Sequence, residues 1–241
     1  LSKEKIAAME ELPSTHEHIH VHDIDGLDDF LSSSCSAKAV RMDPRYSSAF
    51  HHSRCEAAGC VVKQGDCPVI ALKALKNEVE QKHIRHAHCK DGAAIASFLC
   101  WFDKHKSSGE LDELSAESYL TEQRRRQHGF FDISFDPISG FAGNGAIVHY
   151  RATESTNKKI EGDGLYLIDS GGQYYDGTTD LTRTVAVGTP SEQMKKHYTL
   201  VLKGHIAMAR AVFPSGTTGA QIDHHCRVGD NCHIAPGAIL C

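Results

Sequence analysis

One stretch of the chain decides the fold: Leu165-Tyr-Leu-Ile-Asp-Ser-Gly-Gly-Gln-Tyr-Tyr-Asp-Gly-Thr-Thr-Asp-Leu-Thr-Arg-Thr184. Asp169 closes an apolar strand, and Asp180 opens a second strand eleven residues later. If the segment folds back at its midpoint, between Tyr174 and Tyr175, the two aspartates face each other. Their Cβ atoms would then lie about 5 Å apart, as in any directly opposed cross-strand pair.

Two carboxylates at that separation repel each other, so the pair either shares a proton or holds a cation. Hard oxygen ligands suit Mn, Mg or Ca, and zinc also accepts carboxylates. The spacing alone leaves a second interpretation open, because aspartate is common at turns and strand ends, where it forms local hydrogen bonds. The residues therefore predict either a metal site or two turn residues.

Helices precede this stretch and one follows it. Apolar positions recur at threes and fours from Ile70 to about His105, which predicts one or two amphipathic helices. We expect a further helix from an N-cap at Ser115 to about Gln127, with the Arg124–Arg126 triplet on its solvated face, and another from an N-cap at Ser191 to Met208. The strand candidates are Ala37–Met42, Phe130–Phe135, Ala146–Tyr150, Leu165–Asp169 and Leu181–Val187. Helices that lead into a mainly antiparallel sheet predict an α+β domain.

The string Gly145-Ala-Ile-Val-His-Tyr150 is followed, twenty residues after its histidine, by Asp169-Ser-Gly and then by Asp180-Leu-Thr-Arg-Thr184. This combination resembles the creatinase/aminopeptidase P family of metallopeptidases, which have the pita-bread fold. Leu72–Glu80 and Val201–His205 are also similar to that family, particularly to its cytosolic three-domain Xaa-Pro aminopeptidases. The likeness covers about residues 40 to 222. It implies the N-terminal half of a pita-bread fold, preceded by the end of a creatinase N-terminal-like α/β domain.

Carried over position by position, the resemblance makes Asp169 and Asp180 the first two metal-binding residues. It makes His149 the catalytic, substrate-binding histidine near the scissile bond, and Thr182 a residue that orients Asp180. The implied cofactors are two divalent ions, Mn²⁺ first and Zn²⁺ as the alternative. The family completes its site with a histidine in a Gly-His-Gly context and two later glutamates, and none of these follows Asp180 here.

The implied function is a metalloaminopeptidase that releases the N-terminal residue from Xaa-Pro peptides. Two aspartates cannot hold two ions and an activated water, so we expect this chain to be inactive by itself. A prolidase-like dipeptidase and a non-catalytic creatinase-fold binding module, which pairs with a partner chain, remain the alternatives. The implied partner is a proline-containing peptide, and a homodimer is compatible with the resemblance.

Three segments follow from these patterns: residues 1–69 as the end of the N-terminal-like domain, 70–223 as the partial metallopeptidase domain, and 224–241 as a tail. In the tail Val228, Ile234 and Leu240 recur every six residues, which resembles the hexapeptide repeat of sugar O-acetyltransferases. So short a tail cannot bury a core, and we interpret it as a junction or as a coincidental glycine-rich coil. The alternation of His16, His18, His20 and His22 predicts a solvated loop rather than a metal surface.

Composition excludes some classes of binding partner and indicates a cellular location. The net charge of −5 argues against nucleic acid and against an anionic membrane surface as partners, and no apolar run is long enough to span a membrane. Nine cysteines without CxxC pairs favour a reducing, cytoplasmic location. The chain opens on leucine and ends within an apolar pattern, so we expect an interior fragment of a longer protein.

Overall fold

The computed structural model describes residues 22–219 and 221–222. The chain divides into two compact units, Leu1–Lys76 and Asn77–Cys241. The division falls seven residues after the 69/70 boundary that the sequence suggested, and residue 69 itself lies inside a helix, Pro68–Ala74. His16, His18, His20 and the hexapeptide-like tail lie outside the described residues.

The first unit contains a short βαβ arrangement. Its two strands run parallel, with Ala39 paired to Val61, and a helix connects them as parallel strands require. A small core against which the strands pack includes Leu31, Cys55 and Cys60. The elements, after a 3₁₀ turn at Ile24–Gly26, are α1 (Leu27–Phe30), a π turn (Leu31–Cys35), β1 (Ala39–Met42), α2 (Ala49–Ala57), β2 (Val61–Gln64) and α3 (Pro68–Ala74).

The second unit opens with two capped helices, α4 (Glu78–His105) and α5 (Glu113–Arg125). Asn77 and Glu80 form a reciprocal capping box at the start of α4. The N-cap of α5 is Asp112, so the prediction of Ser115 was wrong. Asp112 accepts a hydrogen bond from the Ser115 backbone N–H at 2.7 Å, and the Ser115 hydroxyl accepts one from the Asp112 N–H at 3.0 Å. Asp112 and Ser115 are both good N-cap residues, and this reciprocal pair starts the helix at the earlier one.

Two three-stranded antiparallel sheets follow the helices. One has the order β3-β6-β7 and the other the order β4-β5-β8. The α+β class expected from the sequence is confirmed. The remaining elements are β3 (Phe130–Ile133), β4 (Ile138–Phe141), a 3₁₀ turn (Ala142–Ala146), β5 (Gly164–Ser170), β6 (Gly172–Tyr174), β7 (Gly177–Thr178), β8 (Leu181–Val187) and α6 (Glu192–Ala209), whose N-cap is Ser191 as predicted.

The core lies on one face of the central strand β5. Even-numbered residues of β5 are buried and odd-numbered ones are only partly buried. On the buried face Tyr166 and Ile168 pack with Phe98 and Phe102 of α4 and with Leu120 of α5. The opposite face, which carries Asp169, is therefore the one that α4 and α5 leave uncovered.

The predicted strand Ala146–Tyr150 is wrong. The segment is a 3₁₀ turn followed by a β-turn in which the Tyr150 N–H donates to the Ile147 carbonyl oxygen at 3.1 Å. Ala142 and His149 have positive φ angles of 51° and 54°. Left-handed backbone at these positions cannot continue a strand, although the apolar residues Ile147 and Val148 suggest one.

Candidate metal centre

Asp169 lies near the end of β5, on the face that α4 and α5 leave uncovered. Its neighbours across the sheet are Ile138 of β4 and Thr182 of β8. The Oδ1 atom of Asp169 is buried and has no hydrogen-bond partner among the described residues. A buried carboxylate oxygen without a partner is costly, so this atom is suited to a ligand that supplies positive charge.

Asp180 immediately precedes β8, and it is not directly opposite Asp169 as the sequence suggested. Asp169 pairs with Thr182, and continuing the register by one step beyond the last pair, Ser170–Leu181, places Asp180 opposite Gly171. The two aspartates are thus diagonal neighbours on the same face of the hairpin, at a typical Cα separation of about 7–8 Å.

The displaced turn explains this register. Tyr174 pairs with Gly177, so the turn is centred between Tyr175 and Asp176, one residue later than the predicted midpoint. A shift of one residue at the turn moves each cross-strand partner by two, which preserves the face but replaces direct opposition with diagonal contact.

The two carboxylates interact electrostatically. Burial raises the pKa of Asp180, and the negative charge and hydrogen bonding of Asp169 raise it further. Two carboxylates within hydrogen-bonding reach share a proton unless a cation lies between them. The orphaned Oδ1 of Asp169 and the neighbouring carboxyl group of Asp180, whose pKa is raised, therefore fit a hard divalent cation with oxygen ligands.

The described part of the chain supplies only these two carboxylates. Within residues 22–219 and 221–222, no group of three or more histidine, cysteine, aspartate or glutamate side chains is arranged to hold a metal ion. A dinuclear site needs more ligands than Asp169 and Asp180 offer by themselves.

Backbone packing fixes the approach of the two strands. The Gly172 N–H donates to Thr179 Oγ1 at 2.9 Å, and the Thr179 N–H donates to the Gly172 carbonyl oxygen at the same distance. Ser134 donates to the Thr179 carbonyl oxygen at 2.8 Å. A methyl group on Gly171 would overlap that oxygen and the Ser134 hydroxyl. Only glycine fits opposite Asp180.

A buried ion pair supports Asp169 from behind the sheet. Arg124 of α5 is 0% exposed and donates to Asp91 of α4 through Nε at 2.6 Å and Nη2 at 3.2 Å. Nη2 also donates to the Ser170 carbonyl oxygen at 3.3 Å, next to Asp169, and the Tyr174 hydroxyl donates to Asp91 at 3.0 Å. The network ties both helices to the strand end that carries Asp169.

This network was not predicted, because the whole arginine triplet, Arg124–Arg126, was expected on a solvated helix face. Arg125 and Arg126 are exposed as expected, but Arg124 is buried. The signal was present, since Arg124 follows the buried Leu120 and Ala116 at intervals of four on the inner face of α5.

Two further residues, Thr182 and His149, were predicted to belong to the site. Thr182 is the cross-strand partner of Asp169, and it lies two residues after Asp180 on the same face. His149 is exposed on the loop between β4 and β5, in the left-handed conformation noted above. The structure thus brings the aspartates together, while His149 comes from a separate loop.

A pocket of about 650 Å³ runs along the face that carries the aspartates. The partner of Asp169, Thr182, lines it, and α6 forms its far wall. Pockets of this volume are typical of small-ligand sites. Its other lining residues are Ala142, Gly145, Ala146, Leu165, Leu167, Arg183, Thr184, His197, Tyr198, Val201, Leu202 and His205.

The fold is of the pita-bread class, as comparison with a solved structure shows. The chain matches a solved X-prolyl aminopeptidase from Caenorhabditis elegans, described as a cytosolic enzyme with a di-nuclear active site, with a TM-score of 0.74 and 30% identity. The match covers 94% of this chain and 37% of that one. The predicted pita-bread architecture is confirmed.

Sequence comparison defines the family. The model of metallopeptidase family M24 matches residues 82–229, and the chain belongs to that family. It is 46% identical over 162 residues to a probable Xaa-Pro aminopeptidase P of Arthroderma benhamiae, and 42% identical over 160 residues to Xaa-Pro aminopeptidase 2 of Mus musculus. Each match covers 66% of this chain, and respectively 23% and 24% of the relative. The chain thus spans about a quarter of the length of these relatives.

Proposed function

We propose that Asp169 and Asp180 are metal ligands of an Xaa-Pro aminopeptidase site, in which the described residues form one side. The observation that carries the proposal is the same-face carboxylate pair, with a buried, unpartnered oxygen on Asp169 and a raised pKa on Asp180. The names of the relatives support the substrate class, a peptide with proline in the second position. The C. elegans relative supports a cytoplasmic location and a site for two metal ions.

Divalent ions in such a pocket would supply Lewis-acid activation of water and of the scissile carbonyl. The contributions of this chain are more limited. Asp169 and Asp180 would hold the charge of the ions on the sheet face, and the pocket beside Thr182 would receive the peptide. His149 would donate a hydrogen bond to the substrate. Mn²⁺ is the metal we propose, with Zn²⁺ as the alternative, because both accept carboxylate ligands.

We also propose that the chain alone does not turn over peptide, since two carboxylates are too few for a dinuclear site. The alternatives are a prolidase-like preference for dipeptides and a non-catalytic role in which the chain pairs with a partner chain; a homodimer is compatible with each. Among the described residues, no helix is long and apolar enough to cross a membrane.

Calorimetric titration with Mn²⁺ tests the metal site. The wild-type chain should bind Mn²⁺, and at a concentration a hundredfold above Kd the ion should stabilise the fold by about 2.7 kcal/mol. The Asp169→Asn, Asp180→Asn double variant should lose both effects. An Asp103→Asn, Asp136→Asn double variant makes the same change in charge at two exposed carboxylates and should bind as wild type does.

Two results would contradict the proposal. Equal Mn²⁺ binding by the wild type and the Asp169, Asp180 double variant would place the ion elsewhere. Hydrolysis of an Xaa-Pro tripeptide by the wild-type chain, abolished in that double variant, would show that the missing ligands are supplied in solution and that the chain is active. Faster hydrolysis of an Xaa-Pro dipeptide than of the tripeptide would favour the prolidase alternative.

A further inference from the structure

Glu113 is a buried carboxylate without a cationic partner. Its side chain is 0% exposed, and no lysine, arginine or histidine of the described residues forms an ion pair with it. Buried charges are normally paired or bound to metals because desolvation is costly. Here hydrogen bonds take the place of a cationic partner.

All the donors to this carboxylate come from the segment between residues 141 and 158. Oε1 accepts from the Phe141 N–H at 2.7 Å, and Oε2 accepts from the Tyr150 hydroxyl at 2.8 Å and the Lys158 N–H at 3.1 Å. The Asn144 side-chain amide reaches both oxygens at 3.0 and 3.1 Å. Glu113 therefore gathers the two ends and the middle of one loop around a single point.

His149 is one of two residues of that loop, with Ala142, that have a strained left-handed backbone. Its φ of 54° is uncommon for a residue with a Cβ atom, and it lies within the β-turn that the Tyr150 N–H closes on Ile147. Such strain persists only where the surroundings over-determine the backbone. On one side of His149 the chain is fixed through Tyr150, and on the other side through Asn144.

The Tyr150 hydroxyl is suited to this anchoring role. It is buried, donates to Glu113, and accepts from the Asn144 amide at 2.8 Å. Burial raises the pKa of Tyr150, and although a hydrogen bond with Thr156 lowers it, the Glu113 carboxylate adds to the rise. The phenol thus keeps the proton that it donates.

We propose that Glu113 is a positioning residue for His149: through Tyr150 and Asn144 it holds the loop so that His149 keeps its left-handed conformation. The inference rests on the proposed function for the role of His149 itself. It does not require Glu113 to touch substrate or metal. It explains why the carboxyl group of Glu113 is buried although Glu113 is not a proposed metal ligand.

The test measures the backbone of His149 directly. In ¹³C,¹⁵N-labelled full-length chain, the Cα and Cβ chemical shifts of His149 should carry the signature of a left-handed residue. Glu113→Gln places an amide among groups that all donate, so the shifts should move toward random-coil values. Tyr150→Phe removes only the hydroxyl and should move them in the same direction, which keeps the test valid if Glu113→Gln fails to fold. Glu122→Gln, an exposed position on the same helix, is the matched control and should leave them unchanged.

Wild-type His149 shifts in folded Glu113→Gln or in Tyr150→Phe would overturn the inference, because a merely structural carboxylate would leave the conformation of His149 intact. Calorimetry with Mn²⁺ on the same samples separates the two proposals. Glu113→Gln should retain wild-type Mn²⁺ affinity, since Glu113 is not a proposed ligand. Failure of the wild type to bind Mn²⁺ would refute the metal site, and the chemical shifts would still decide the role of Glu113.

Discussion

Replacing Asp91 with asparagine should destabilise the chain more than any surface charge change. The carboxylate is buried with Arg124, at 2.6 and 3.2 Å from two guanidinium nitrogens, and asparagine leaves that guanidinium buried without a counter-charge. Breaking such a pair from one side costs about 3–5 kcal/mol. Since a typical domain has only about 5–15 kcal/mol of stability, the variant should lose a large share of it.

Urea denaturation measures this loss. Trp101 is the single tryptophan of the chain and stacks on Tyr119 at 3.8 Å between ring centroids, so its fluorescence reports the core. Asp103→Asn makes the same substitution on the same helix, where the carboxylate is 73% exposed and pairs with Lys106, and it should cost less than about 1 kcal/mol.

Equal urea midpoints and slopes for Asp91→Asn and Asp103→Asn would show that the buried pair does not stabilise the fold more than a surface charge does. A further variant separates loss of charge pairing from loss of packing. Replacing both members, as Asp91→Leu with Arg124→Met, should recover most of the stability, because no buried charge is then left alone.

Two more predictions concern the hairpin that carries the aspartates. Gly171→Ala should destabilise the chain by about 1–3 kcal/mol or more, because its methyl group would overlap the Thr179 carbonyl oxygen; thermal unfolding measures the change. Burial alone would raise the pKa of Asp176, but hydrogen bonds from Lys90 at 2.8 Å and from His86 at 2.9 Å outweigh it and lower that pKa. A lowered folded-state pKa means that the stabilisation is complete above the unfolded pKa, near pH 4, and is lost as pH falls through the folded value, so Asp176→Asn should flatten the acid limb of the stability–pH profile.

The Gly171→Ala prediction has a matched control, and an outcome that would contradict it can be named for each of the two variants. Gly92 lies in α4 with no atom near an added methyl group, so Gly92→Ala should raise stability by about 0.5–1 kcal/mol. Stabilisation by Gly171→Ala as well would show that the close approach of the strands is not needed. An acid limb that Asp176→Asn leaves unchanged would show that the contacts of Asp176 with α4 do not contribute to stability.

Much of the fold could be predicted from local patterns. The strand predicted at Leu165–Asp169 is observed as Gly164–Ser170, and the strand predicted at Leu181–Val187 has the observed bounds. The helix after Ser191 was also predicted within a residue at its end. In each case periodicity and a strong capping or turn residue point to the same element, so local and global preferences agree.

The errors came from features that local patterns do not encode. The register at Asp169 depends on which two residues form the hairpin turn, and Tyr175-Asp176 is not distinguished from its neighbours by composition alone. The false strand at Ala146–Tyr150 arose because the left-handed backbone of His149 is held by a distant carboxylate, that of Glu113. Tertiary contacts decided both outcomes.

We propose that one face of the hairpin holds a divalent cation between Asp169 and Asp180. The most direct measurement is an anomalous difference map from crystals of the full chain grown or soaked with Mn²⁺. We expect an anomalous peak between the two carboxylates, with Asp169 Oδ1 among the nearest atoms. A peak elsewhere, or well-ordered carboxylates with no peak between them at saturating Mn²⁺, would contradict this proposal.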